Sequence, residues 1–159
     1  MTGTKRKSMT VVAAAVAAGV LGLTAPAQMQ SWMGVGYAQA QAGDSQKVSL
    51  SGDNEVPPVK SSGSASGDVT VTSDGSVSGS IKVTGFTPTA AHIHQAAAGA
   101  NGPVIVPLTK QGDDTFVFPA GAKMTPEQMQ AFKAGNTYLN VHSAANPGGE
   151  VRVQLKGGG

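Results

Sequence analysis

The sequence predicts an all-β fold, an antiparallel sandwich or barrel of seven or eight short strands with one short helix near residues 126–134. Three observations carry this expectation. Apolar and polar residues alternate singly along several short runs, Gly, Pro, Asn and Asp punctuate those runs, and only one segment carries helix signals. Single alternation places successive side chains on opposite faces, so such strands bury one face of a sheet and leave the other to water.

In chain order, Lys47-Val48-Ser49-Leu50 alternates as a short strand, and Ser51-Gly52-Asp53-Asn54 breaks it. Glu55-Val56-Pro57-Pro58-Val59 is held extended, because each proline fixes its own φ and biases the preceding residue away from helix. The prolines also bar a central strand position, so this segment lies at a sheet edge or crosses between sheets. Ser61 to Gly67 reads as a connection. Val69 and Val71, then Val77, Ile81 and Val83, alternate with Ser, Thr and Lys on either side of Asp74-Gly75. That pattern predicts a hairpin in which Gly75 supplies the positive φ of a type I′ turn. A strand through His92 follows. Val104 to Leu108 and Thr115 to Phe118 read as a strand pair around Gln111-Gly112-Asp113-Asp114. For the helix, Thr125 is the N-cap, Pro126 the first helical residue and Gln128 the partner in a capping box. Met129 and Phe132 share its buried face, and Gly135 ends it. Thr137 to His142 and Glu150 to Lys156 are the last strands, joined by Asn146-Pro147-Gly148-Gly149.

Residues 1–40 read as an export leader. Lys5-Arg6-Lys7 precedes the apolar run Met9 to Leu23, and Ala38-Gln39-Ala40 offers small residues to a signal peptidase, with a second possible cleavage after Ala27. The apolar run falls short of the roughly 20 residues of a membrane span, so no stable membrane insertion is expected after cleavage. Residues 41–46 read as a linker, 47–156 as the sandwich and 157–159 as a flexible tail. The expected product is an exported monomer, periplasmic or extracellular.

The 11 Lys and Arg outnumber the 9 Asp and Glu only because three of the basic residues lie in the leader. What remains has no basic patch, which removes nucleic acid as a partner. The chain contains no cysteine, so no disulfide framework supports the fold. Aromatics beyond the leader are few (Phe86, Phe116, Phe118, Phe132 and Tyr138), and the core must rest mainly on Val, Ile and Leu.

The chemistry concentrates in the three histidines. In a strand, His92 and His94 share one face opposite Ala91 and Ile93, and His142 stands opposite Val141. Two such strands side by side would bring three imidazoles together as ligands for copper or zinc, leaving a fourth position for water, a carboxylate or a thioether. Glu55 and Glu150 are candidates for that position or for holding an imidazole, and Met124 is a weaker, Cu(I)-favouring candidate. Without cysteine a blue-copper centre is excluded. The competing reading is that these histidines bond to Asn140, Glu150 or the backbone and only staple two strands. Glu150 and Arg152, two residues apart on one strand, read as an exposed ion pair. Asn146-Pro147-Gly148-Gly149 reads as a tight connection, and Asp113-Asp114 as a solvated turn.

Glu55-Val56-Pro57-Pro58-Val59, Ala91-His92-Ile93-His94, Asn101-Gly102-Pro103-Val104 and the run from Tyr138 through His142 to Arg152 together resemble the CHRD (chordin-type) domain, in the form that occurs alone in exported bacterial proteins. The resemblance covers Val48 to Leu155, with Val153 standing where a glycine is expected. It implies an immunoglobulin-like or superoxide-dismutase-like sandwich and no single activity. Three functional readings follow. The first is a protein that holds one metal ion, copper before zinc, on His92, His94 and His142. The second is a copper-dependent, dismutase-like redox enzyme, and the third a metal-free interaction module.

Overall fold

The computed structural model describes residues 43–157; the leader, the start of the linker and the last two residues of the tail lie outside the described residues. Among the described residues nine strands form two antiparallel sheets. The first contains β1 (Gly43–Leu50), β2 (Ser64–Thr72), β3 (Val77–Thr84), β7 (Thr115–Val117) and β6 (Thr109–Gln111), in the order β1-β2-β3-β7-β6. The second has the order β5-β4-β8-β9, built from β5 (Val104–Pro107), β4 (Pro88–Gln95), β8 (Thr137–Ser143) and β9 (Val151–Gln154).

The core is the aliphatic face of each sheet. Val48, Leu50, Val69, Val71, Ile81 and Val83 of the first sheet meet Ala91, Ile93, Leu139, Val141 and Val151 of the second in one cluster. Helix α1 (Pro126–Lys133) adds Met129 and Phe132. Its capping box forms as the sequence predicts: Thr125 Oγ1 accepts from the Gln128 amide at 3.3 Å, and Gln128 Oε1 accepts from the Thr125 amide at 2.8 Å. Gly135 follows in the left-handed conformation, φ 73°. Among the described residues no helix is long and apolar enough to cross a membrane.

Several boundaries differ from expectation, each for a backbone reason. β1 begins at Gly43 rather than Lys47, because Gly43 through Gln46 continue the ladder opposite Thr72 through Val69. β2 begins at Ser64, inside the segment expected to be a connection, since Ser64 and Ala65 pair with Thr84 and Val83. The β2–β3 turn is a three-residue loop, Ser73-Asp74-Gly75, in place of a two-residue type I′ turn. The Gly75 amide donates to Thr72 O and the Thr72 amide to Ser76 O, both at 2.9 Å, with Gly75 at φ 88°. Val104–Pro107 does not pair with Thr115–Val117. Instead β5 pairs with β4 in the second sheet, the chain crosses at Leu108, and β6 joins β7 in the first sheet. That crossing, which alternation cannot reveal, raises the strand count to nine.

At one corner the sheets are stitched directly. The Ser51 amide donates to Arg152 O at 3.2 Å and the Arg152 amide to Ser51 O at 3.0 Å, tying the end of β1 to β9. The second sheet departs from a simple sandwich in one respect: every residue of β8 is buried, on both faces. Its outer face is therefore roofed.

Phe132 is fully buried between helix and sheets. Phe132→Ala is expected to cost about 3–5 kcal/mol of folding stability, measured by urea denaturation. An unchanged midpoint would show that the helix is not part of the cooperative core.

Candidate metal centre

The same alternation that sends Ala91 and Ile93 into the core sends His92 and His94 to the outer face of β4. On β8 it sends Leu139 and Val141 inward and Tyr138, Asn140 and His142 outward. The β4–β8 register pairs His92 with Asn140, His94 with Tyr138 and Ala90 with His142, so His142 stands diagonally across from His92. One ring nitrogen from each histidine lies within 4.8 Å of the others. His92 Nδ1 and His142 Nε2 are 3.1 Å apart, close to the roughly 3.3 Å that separates two nitrogens on one tetrahedral ion at 2.0–2.1 Å.

Backbone carbonyls orient two of the three rings. His94 Nδ1 donates to Gly102 O at 2.9 Å, and His142 Nδ1 donates to Pro147 O at 2.9 Å. Each bond places the proton on Nδ1 and leaves the Nε2 lone pair free, as a metal ligand requires. His142 Nε2 meets His92, whereas His94 Nε2 is buried with no protein partner. Burial, aided by the neighbouring imidazoles, pushes His92 below the ordinary histidine value. Burial does the same to His142, outweighing the opposing Pro147 hydrogen bond. Both shifts favour the neutral imidazole, the form that can coordinate a metal.

A buried arginine supports the loop that carries Gly102. Arg152, only 2 % exposed, places its guanidinium carbon 3.4 Å from the centroid of the Tyr138 ring. Tyr138 in turn stacks on His94, with centroids 4.8 Å apart and planes within 6°. Arg152 Nη1 donates to Asn101 Oδ1 at 3.0 Å and Nη2 to Ala100 O at 2.9 Å. Asn101 Nδ2 donates onward to Val56 O at 2.7 Å, and the Gly102 amide donates to the Tyr138 hydroxyl at 3.3 Å. Guanidinium, phenol, imidazole and loop backbone thus form a closed circuit.

The CHRD domain model matches residues 46–155. The chain belongs to the CHRD domain family. No curated protein and no solved structure matches it. In this CHRD domain the segments that carried the resemblance, distant in sequence, meet over one sheet face. Val56 touches Asn101, Gly102 touches His94 and Tyr138, and Pro147 touches His142. Asn146-Pro147-Gly148-Gly149 is therefore more than a connection, because it supplies the carbonyl that orients His142.

The remaining candidates are placed as follows. Glu55 is buried beside Asn140 and Arg152. Burial raises its pKa, against the opposing pull of the Arg152 charge and the Asn140 amide. Glu150 is engaged elsewhere: Ser143 Oγ donates to it at 2.7 Å and Asn146 Nδ2 also donates to it, so it braces the turn instead of an imidazole. Burial raises its pKa, but hydrogen bonds from Ser61, Asn146 and Ser143 outweigh this and leave it lowered. Met124 packs in the core, its amide bonded to Gly75 O beside the first sheet, and is no ligand to this cluster. Glu150 and Arg152 are both buried and form no exposed ion pair. Gly149 is required where it stands, since a β-carbon there would collide with the Glu55 carboxylate. Sequence reasoning passed over Tyr138 and Arg152 as parts of the site and read Asn140 only as a partner for the histidines. The alternation that exposed His142 places Tyr138 and Asn140 on the same face.

Arg152→Lys removes the planar contact with Tyr138 and the fork that holds Ala100 and Asn101. It is expected to weaken binding of a Cu(II) or Zn(II) probe about 10–100-fold without loss of a ligand, measured by competitive titration; unchanged affinity would make Arg152 purely structural.

The histidine shifts also predict a pH dependence. Because His92 and His142 titrate lower when folded, the unfolded chain binds more protons, and their contribution is full above the unfolded value of 6.5. It is lost as pH falls from about 6.5 through the folded values. The melting temperature of metal-free protein should therefore drop between about pH 7 and 5. The raised Glu55 acts with opposite sign, so a His92→Gln/His142→Gln double variant isolates the effect, and its slope over this range should be shallower.

Proposed function

We propose that this CHRD domain is an exported protein that holds a single metal ion, copper in preference to zinc, on His92, His94 and His142. Its role is to hold or buffer that metal in the periplasm or outside the cell. The observation that carries this reading is the convergence of three imidazole nitrogens with two Nδ1 protons fixed on backbone carbonyls, leaving His94 Nε2 buried and unpartnered. Structural histidines need no such arrangement. A buried acceptor without a donor costs stability, and an ion bound there removes the cost.

Copper is favoured because an all-imidazole site lacks the thiolates that would compete for softer chemistry, and the divalent affinity order peaks at copper. His92 is only partly buried, which leaves an ion accessible from solvent on that side. That access is what supports a redox role as a second reading. It requires superoxide turnover in proportion to bound copper, and copper-loaded protein without turnover is a holder only.

The deciding experiment is metal analysis of protein exported by its native route, beside His92→Ala and His142→Ala. About one copper per chain, lost in both variants, is the expected result. Absence of stoichiometric metal after titration with Cu(II), Cu(I) and Zn(II) would overturn the proposal and leave a metal-free interaction module.

A further inference from the structure

Three buried polar atoms around the outer face of the second sheet have no hydrogen-bond partner in the protein: His94 Nε2, Asn140 Oδ1 and Glu55 Oε1. Their residues are 8 %, 1 % and 4 % exposed. All three are acceptors, given the His94 Nδ1 bond to Gly102 O. A cluster of buried acceptors without donors calls for a cation, for a group rich in O–H, or for both.

Asn140 holds the central place among them. It is paired in register with His92 and stands between Tyr138 and His142 on the outward face of β8, so it lies at the base of the imidazole set. Its side-chain nitrogen is 3.5 Å from Gly148 O and stands beside the Glu55 carboxylate beneath Gly149. Both neighbours are acceptors, which requires the nitrogen on that side and leaves Oδ1 as the other arm of the amide. Three imidazoles fill three positions on a four-coordinate ion. Water in the fourth is a strong donor, because the ion's charge polarises its O–H bonds.

Resting on the metal reading above, we infer that the fourth ligand of the ion is an exchangeable water whose proton is accepted by Asn140 Oδ1. Asn140 is then a positioning residue. It favours ligands that carry a proton (water, hydroxide, hydroperoxide) over aprotic anions of similar size. The other end of the same amide faces Gly148 O, which accepts from its nitrogen.

The test uses the exported protein loaded with Cu(II). Electron–nuclear double resonance in H₂O and D₂O should show an exchangeable proton on a copper-bound oxygen in the wild type. Azide, which has no proton to donate, should bind Asn140→Leu roughly tenfold more tightly than wild type, about the weight of one hydrogen bond, at unchanged copper stoichiometry. A wild-type spectrum without the exchangeable proton overturns the inference while leaving the metal site standing, and so does equal azide affinity in the two proteins. Wild type that takes up no copper overturns the metal reading and this inference with it. Should Asn140→Leu fail to fold, Asn140→Thr, whose acceptor is shorter, supplies the titration: tighter azide binding supports the inference, and unchanged binding overturns it.

Discussion

The structure depends on covering the outer face of its second sheet. A two-sheet sandwich normally gives that face to water, and its strands then alternate buried with exposed. Here β8 is buried throughout, and the roof consists of loops that contribute no residue to the apolar core cluster. The Arg152 guanidinium takes the place of that missing hydrophobic contact. It is buried, stacked on Tyr138 and bonded to the loop through Ala100 and Asn101, and its own backbone pairs with Ser51 across the sandwich corner. One residue thus links both sheets and the roof. A buried guanidinium is costly to desolvate, and the cost is tolerable only because its fork meets fixed acceptors and its plane meets a ring.

The roof explains why the imidazoles can be ordered. A histidine on an open sheet face samples several rotamers and both tautomers, whereas His94 and His142 each meet a carbonyl delivered by a loop. Both loops turn at glycines or prolines beside the contact, Gly102-Pro103 on one side and Pro147-Gly148-Gly149 on the other. Gly149 lets the backbone come down onto the Glu55 carboxylate, where any side chain would collide. The short motifs of the family are therefore one object in space: strand residues that present nitrogens, and loop residues that fix which nitrogen carries the proton.

Much of this was legible in the sequence, and the part that was not has a common cause. The alternation of Ala91-His92-Ile93-His94 and of Leu139-Asn140-Val141-His142 places the three histidines on one face, and the β4–β8 register brings them together. The capping box from Thr125 to Gln128 was equally plain, because helix termini are decided locally. Contacts set by loops of long sequence separation were hidden. Arg152 and Glu150 looked like a solvated pair because alternation reports only which face a residue takes, not whether that face is roofed. Met124 looked available as a thioether until the fold placed it in the core. The crossing at Leu108 escaped notice because Val104 to Leu108 is as good a strand for either sheet, and the choice between them is made by pairing with β4.

The charge balance around the imidazoles bears on what an ion there would experience. Three imidazoles would be neutral ligands, and Glu150, which carries a charge of the right sign, is turned toward Ser143 and Asn146. Glu55 is the remaining buried carboxylate on this face. Burial raises its pKa, against the pull of the Arg152 charge and the Asn140 amide. An ion on the histidines would add positive charge on the far side of Asn140 and move Glu55 toward its ionised form. Such an ion would oppose the effect of burial on Glu55, with the Asn140 amide between them. The opposition grows with the charge on the ion and is larger for Cu(II) than for Cu(I), whereas the neutral ligand set by itself favours the lower charge.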